Sequence, residues 1–70
     1  MTRIAALMKE QGRKPTWLAE KIGVRREQVY KWIRGEAIPF DSNKKLIAET
    51  LGVTIGWLFF DENVPKTRHS

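Results

Sequence analysis

Cysteine is absent from this sequence, histidine occurs once, at His69, and there are three prolines. Without cysteine there are no disulfide staples, thiolate metal sites or thiol nucleophiles, so the fold must rest on packing or self-association, and a reducing cytoplasm is its expected home. The lone histidine lies in a polar end segment with no Ser/His/Asp set assembled around it, and the carboxylates show no metal-ligand clustering. Neither an enzyme activity nor a metal or cofactor is therefore expected. Long hydrophobic runs are missing as well. Apolar stretches such as Trp57 to Phe60 last only a few residues and the N-terminus is charged and amphipathic, so no membrane span or signal peptide is expected. A chain of 70 residues has room for one compact core but not for a catalytic domain beside it.

Acidic residues are also scarce, with 8 Asp and Glu against 13 Lys and Arg, for a formal net charge of +5. The excess is concentrated. Between Arg13 and Arg34 stand Arg13, Lys14, Lys21, Arg25, Arg26, Lys31 and Arg34 against Glu20 and Glu27, so this stretch alone carries +5 and the remainder balances to zero. A charge focused in this way points to a polyanion partner. The plain alternative is a solvated basic face kept for solubility.

What the sequence does contain is helical periodicity. Ile4, Leu7 and Met8, with Ala5 beside them, follow the i, i+3, i+4 spacing of one helical face, and Thr2 suits the cap of a helix running to about Gln11. Gly12 ends it. Pro15 fits the first turn of a second helix with Leu18, Ala19 and Ile22 inward, closed by Gly23. Only Gly23 and Val24 are left as turn before a third helix with Val29, Trp32 and Ile33 inward, which stops at Gly35 and Pro39. Asp41, Ser42 or Asn43 can cap a fourth helix carrying Leu46, Ile47 and Leu51 and closing at Gly52. Thr54 can cap a short fifth one holding Trp57, Leu58 and Phe60. There are no alternating strand-like runs, repeats or low-complexity segments, so the expected fold is all-α, with about five short helices over residues 1–60 and a polar C-terminal tail over 61–70.

Within that string, residues 15–34 satisfy the demands of a helix-turn-helix. Ala19 provides the small side chain where two helices cross closely, and Gly23 provides the positive φ favoured in the turn. Leu18, Ile22, Val24, Val29 and Trp32 fill the positions that must face the core. One of these residues alone would mean little; jointly, inside the strongly basic segment, they are specific.

Here the chain resembles the lambda-repressor-like helix-turn-helix family, the phage repressors, Cro proteins and Xre-type bacterial regulators. The likeness covers nearly all of Ile4 to Phe60. It rests on the spacing of Ile4 and Leu7, on Leu18-Ala19-x-x-Ile22-Gly23-Val24, on Val29-x-x-Trp32-x-x-Gly35-x-x-x-Pro39, and on Leu51-Gly52-Val53-Thr54-x-x-Trp57-Leu58. It implies a five-helix domain whose third helix lies in the DNA major groove, commonly as a symmetric dimer on a palindromic operator. Some positions depart from the family pattern. An Arg late in helix one and a Glu after the recognition-helix Trp are replaced together by Met8 and Ile33, and an apolar pair can replace an ion pair at little cost. Pro15 stands where a phosphate-holding Gln is common, Arg25 where a Ser often caps the third helix, and Lys44 at an apolar position early in helix four.

Periodicity turns Glu27, Tyr30, Lys31 and Arg34 outward, with Arg25 and Arg26 at the leading end. The resemblance puts base reading on Arg26, Glu27 and Lys31. Chemically, Arg26 and Lys31 suit guanine, Glu27 can accept from cytosine N4, and Gln28 suits adenine. Glu27 can equally form a salt bridge with Arg26 or Lys31. Tyr30 can touch a thymine methyl or a phosphate, or cover the outer edge of the helix. Phosphate contacts are expected from Arg13, Lys14, Arg25, Arg34, Lys44 and Lys45. Trp17 suits packing against helix one, with a phosphate contact through its N–H as the alternative. Neighbouring helical residues point about 100° apart, so at least one of Trp57 to Phe60 must face out. Phe59 or Phe60 is the expected contact of a homodimer.

Two functions of different classes follow. One is a sequence-specific regulator of transcription, a phage or prokaryotic repressor on double-stranded DNA, acting in the cytoplasm at the nucleoid. The other is a protein-interaction or antitoxin module that kept the fold without reading DNA. A lost reading helix should drift toward a neutral or acidic outer face, and Arg25, Arg26, Lys31 and Arg34 speak against that.

Overall fold

The computed structural model describes residues 2–60 and 63–67, all of them helical or in connecting turns. Four α-helices follow one another as α1 (Arg3–Gln11), α2 (Pro15–Ile22), α3 (Arg26–Arg34) and α4 (Asp41–Leu51), and α5 (Gly56–Phe60) is a single π-helical turn. The all-α, five-helix architecture is the one expected.

Thr2 shows how a single residue joins local and tertiary structure. Its hydroxyl accepts from the Ala5 N–H at 3.2 Å, capping α1, and donates to the Ile33 carbonyl at 2.7 Å, near the end of α3. One of the free N–H groups at a helix start is thereby satisfied, and α1 is fixed against α3. At its other end α1 is tied to α4, where the Gln11 side-chain amide donates to the Leu51 carbonyl at 2.8 Å.

Ile4, Leu7 and Met8 of α1, Leu18 and Ala19 of α2, and Val29 and Trp32 of α3 close on Ile47, Ala48 and Leu51 of α4, with Val53 and Leu58 completing the core. Leu18, Val29 and Ile47 are wholly buried, and each contributes roughly 1.5–3 kcal/mol by leaving water. Ile22, Val24, Ile33 and Trp17 pack against this core half-buried. Met8 is thus buried in the core and Ile33 packs against it.

Three expectations need correction. Leu46 is not an inward residue of α4 but 43% exposed, and Ala48 is buried in its stead. The inward stripe runs Lys44, Ile47, Ala48, Leu51, a regular i, i+3, i+4, i+7 series that puts Leu46 about 100° away from Ile47. Lys44 can head this stripe because its methylene stem covers apolar surface while its ammonium stays over aromatic rings. It lies 4.8 Å from the centre of the Phe60 ring and 5.8 Å from that of Phe59. Asp41, Ser42 and Asn43 do not cap α4; Phe40 is the N-cap and provides no side-chain hydrogen bond. The turn between α2 and α3 includes Arg25, the N-cap of α3, as well as Gly23 and Val24. At the start of α5, Thr54 does cap, its hydroxyl accepting from the Trp57 N–H at 3.3 Å.

Beyond α5 the chain returns to the domain. The Lys66 carbonyl accepts from the Thr54 N–H at 2.8 Å, and the Thr54 hydroxyl donates to the Pro65 carbonyl at 2.6 Å. The Lys66 ammonium reaches Glu10 at 3.0 Å and lies 5.1 Å from the centre of the Trp57 ring, whose carbonyl accepts from Arg3.

Candidate nucleic-acid interface

The α2–α3 pair is built around Ala19 and Gly23. Ala19 is buried where the helices meet, and its carbonyl accepts from the N–H groups of both Gly23, at 2.8 Å, and Val24, at 3.1 Å. That wrapped ending requires Gly23 to adopt φ +87°, a left-handed conformation that costs other residues about 1–2 kcal/mol. A Cβ there would meet nothing within 4 Å, so the demand is purely conformational.

With Val29 and Trp32 anchored inward, α3 presents Glu27, Lys31 and Arg34 to solvent, and Tyr30 is 38% exposed on the helix flank. Arg25 and Arg26 are exposed at the leading end. Arg26 borders a shallow depression with Thr16, Glu20 and Gly23. Gln28 is half-buried on the other flank, where it lines a groove with Arg25 and the loop that follows α3.

Glu27 has its expected partner in Arg26, with Nε and Oε1 3.6 Å apart. A hydrogen bond from its own backbone N–H at the helix start, and then the charge of Arg26, hold its carboxyl below the usual carboxylate range. Both side chains are mostly solvent-exposed, so the pair orients Arg26 more than it stabilises the fold. Arg34 is engaged in the same way by Glu36, its Nε hydrogen-bonded to one carboxylate oxygen and its Nη2 3.4 Å from the other. This pairing lowers the Glu36 carboxyl, with smaller help from the charge of Lys31, and raises the Arg34 guanidinium. Sequence reasoning missed Glu36. Its signal was present as a carboxylate two residues beyond an arginine, across the left-handed Gly35.

Around the helix pair, Arg13 lies with its guanidinium 4.4 Å from the centre of the Trp17 ring, which is itself packed against the core. Lys14 is exposed as the N-cap of α2, and Lys45 is exposed on α4. Lys44 stands apart: its side chain is only 14% exposed, drawn toward the rings of α5 and to Asp41 at 3.8 Å. Of the two aromatic candidates for a homodimer contact, Phe59 is half-buried against the core and Phe60 is 48% exposed. Among the described residues no group of three His, Cys, Asp or Glu is placed to hold a metal ion, and no helix is long and apolar enough to cross a membrane.

A small residue at a helix crossing, a left-handed turn glycine and a basic outward helix together define a helix-turn-helix DNA-binding module. The sequence profile of the helix-turn-helix family matches residues 4–58. The chain belongs to this family, in its Xre or lambda-repressor-like branch. It is also similar to an uncharacterized HTH-type transcriptional regulator of Haemophilus influenzae, 46% identical over 44 residues, which cover 63% of this chain and 18% of that protein. This chain therefore corresponds to a small part of the length of that relative. No solved structure matches the chain significantly.

Proposed function

We propose that the chain regulates transcription by reading double-stranded DNA, with α3 laid in the major groove and α2 crossing the backbone. Arg26, Glu27 and Lys31 read base edges, with Gln28 and Tyr30 on the two flanks of the same helix. Arg26 and Lys31 donate to guanine, and Glu27 accepts from cytosine while steadying Arg26. Arg13, Lys14, Arg25, Arg34 and Lys45 hold phosphates and set the register. Lys44 would have to leave the aromatic rings to join them. The target is a palindromic operator of a phage or prokaryote, occupied as a homodimer through the exposed Phe60 and its neighbour Phe59, with two α3 helices about one DNA turn, roughly 34 Å, apart. Occupancy would block RNA polymerase and so repress. The setting is the cytoplasm, at the nucleoid, and family membership favours this binding role over catalysis.

The observation that carries the reading is that the whole net charge of the chain falls on the segment from Arg13 to Arg34, whose α3 has its charged side chains exposed and Val29 and Trp32 buried. Selection of bound sequences from a random duplex pool tests it. A two-fold symmetric site with half-sites one turn apart is the expected result. Failure to bind any duplex, at low or moderate salt, would favour a protein-interaction module instead.

A further inference from the structure

Ile38 and Phe40, in the loop between α3 and α4, are 80% and 82% exposed, far more than any other large apolar side chain in the described chain. Neither is needed for the core. Phe40 is also a poor choice for the place it occupies, since an N-cap favours Ser, Thr, Asp or Asn and Phe40 caps nothing. A residue that helps neither the core nor its helix calls for a partner outside the domain.

The neighbours of the pair indicate which partner. The groove beside α3 is lined by Arg25 and Gln28 together with Ile38, Pro39 and Phe40. The apolar pair therefore borders the same leading end of α3 to which the proposed DNA contacts belong. A second copy of the chain fits less well. Two side chains of this kind offer about 150–250 Å² each at most, against roughly 800 Å² per partner in a stable interface. The same groove also holds the cation Arg25, which an apolar contact with a second copy would leave without a partner of opposite charge.

Resting on the proposed DNA reading, we infer that Ile38 and Phe40 form an apolar edge of the DNA interface. Beside the reading end of α3 they pack on the apolar carbon surface of the groove, which is supplied by deoxyribose rings or by thymine 5-methyl groups. The charged residues draw the duplex in, and this edge adds contact that salt does not screen.

The substitution Phe40→Ser separates binding from stability, because serine restores a capping side chain to α4 while removing the apolar surface. On a duplex from the selected pool, Phe40→Ser is expected to bind about ten-fold more weakly, as for losing roughly half the transfer of one buried Phe. The salt slope should be unchanged and the melting temperature equal or higher. Ile38→Ser, which touches no cap, should weaken binding in the same direction. Replacing thymine by deoxyuridine in the duplex distinguishes the two sources. If methyl groups are packed, the wild type loses affinity on uracil DNA and the variants lose little more; if sugars are packed, the wild type is indifferent and the variants keep their full loss. Wild-type binding with both variants equally tight would overturn this inference alone. So would a loss of binding that tracks a parallel loss of self-association in sedimentation, which would assign the pair to a second copy. No binding by the wild type overturns the DNA reading, and this edge with it.

Discussion

The two ends of the domain use positive charge differently. At the α5 end, cations lie on aromatic rings: Arg3 is 4.7 Å and Lys66 5.1 Å from the centre of the Trp57 ring, and Lys44 is 4.8 Å from that of Phe60. On α3, Arg26 and Arg34 are instead steadied from the side by Glu27 and Glu36 with more than half of each side chain in solvent, and Lys31 is exposed. Cations at the first end cover apolar surface, and those at the second remain presented outward. A positive count therefore does not by itself mark a nucleic-acid face; what marks it is positive charge that the fold leaves facing water. Arg13 and Arg3 combine both arrangements, each exposed yet lying over an aromatic ring, Trp17 and Trp57 respectively.

Trp32 spans this division, lining the groove beside α3 and also the depression that contains Leu58 and Phe59. Trp32→Ala should therefore damage both ends at once, costing about 3–5 kcal/mol in thermal or denaturant unfolding. If only DNA binding fell, the shared core would be wrongly drawn.

Next in size are changes confined to the presented end. Arg26→Ala is expected to weaken cognate binding by about 1–3 kcal/mol and relax preference at one base pair while sparing random DNA. Lys14→Ala should instead lower affinity on every duplex and flatten the salt slope by about 1. Titrations on cognate and random duplexes across a salt series separate the two, and equal losses for Arg26→Ala on both would remove it from base reading.

Gly23→Val should cost about 1–2 kcal/mol or more of stability, through backbone strain rather than collision. A variant that melted like the parent would place the turn elsewhere. The smallest effect belongs to the carboxylates. Glu36 and Glu27 titrate below their ordinary value in the folded chain. Their contribution is thus present above the unfolded carboxylate range and lost as the pH falls through the folded one. Glu36→Gln should therefore lower the melting temperature slightly at neutral and alkaline pH, leave it nearly unchanged below the folded carboxylate range, and so flatten the acid-side slope.

The α1–α3 half was legible because its signals are local. Thr2, Pro15 and Gly23 mark boundaries within a turn of where they act, and the apolar residues of each helix have one consistent phase. On α4 the phase was ambiguous, since Leu46 and Ile47 are adjacent and both apolar. The residue that decides it is Lys44, which composition alone places in water. Phe40 as an uncapping N-cap has no local signature either. The return of Lys66 to Glu10 joins residues 56 apart in sequence, which no periodicity can report. At the candidate site, helical spacing was enough to separate inward from outward on α3. It could not show that Gln28 lines a groove with the loop after α3, or that Glu36 holds Arg34, because these depend on how neighbouring segments fold back.

Amide chemical-shift mapping during titration with a duplex taken from the selected pool tests the central claim most directly, because it observes both ends in one experiment. Perturbations should concentrate at residues 13–14, along residues 25–34 and in the loop at 38–40, while Trp57 and residues 63–67 remain nearly still. Shifts centred on α5 and residues 63–67, with α3 unmoved, would contradict the account.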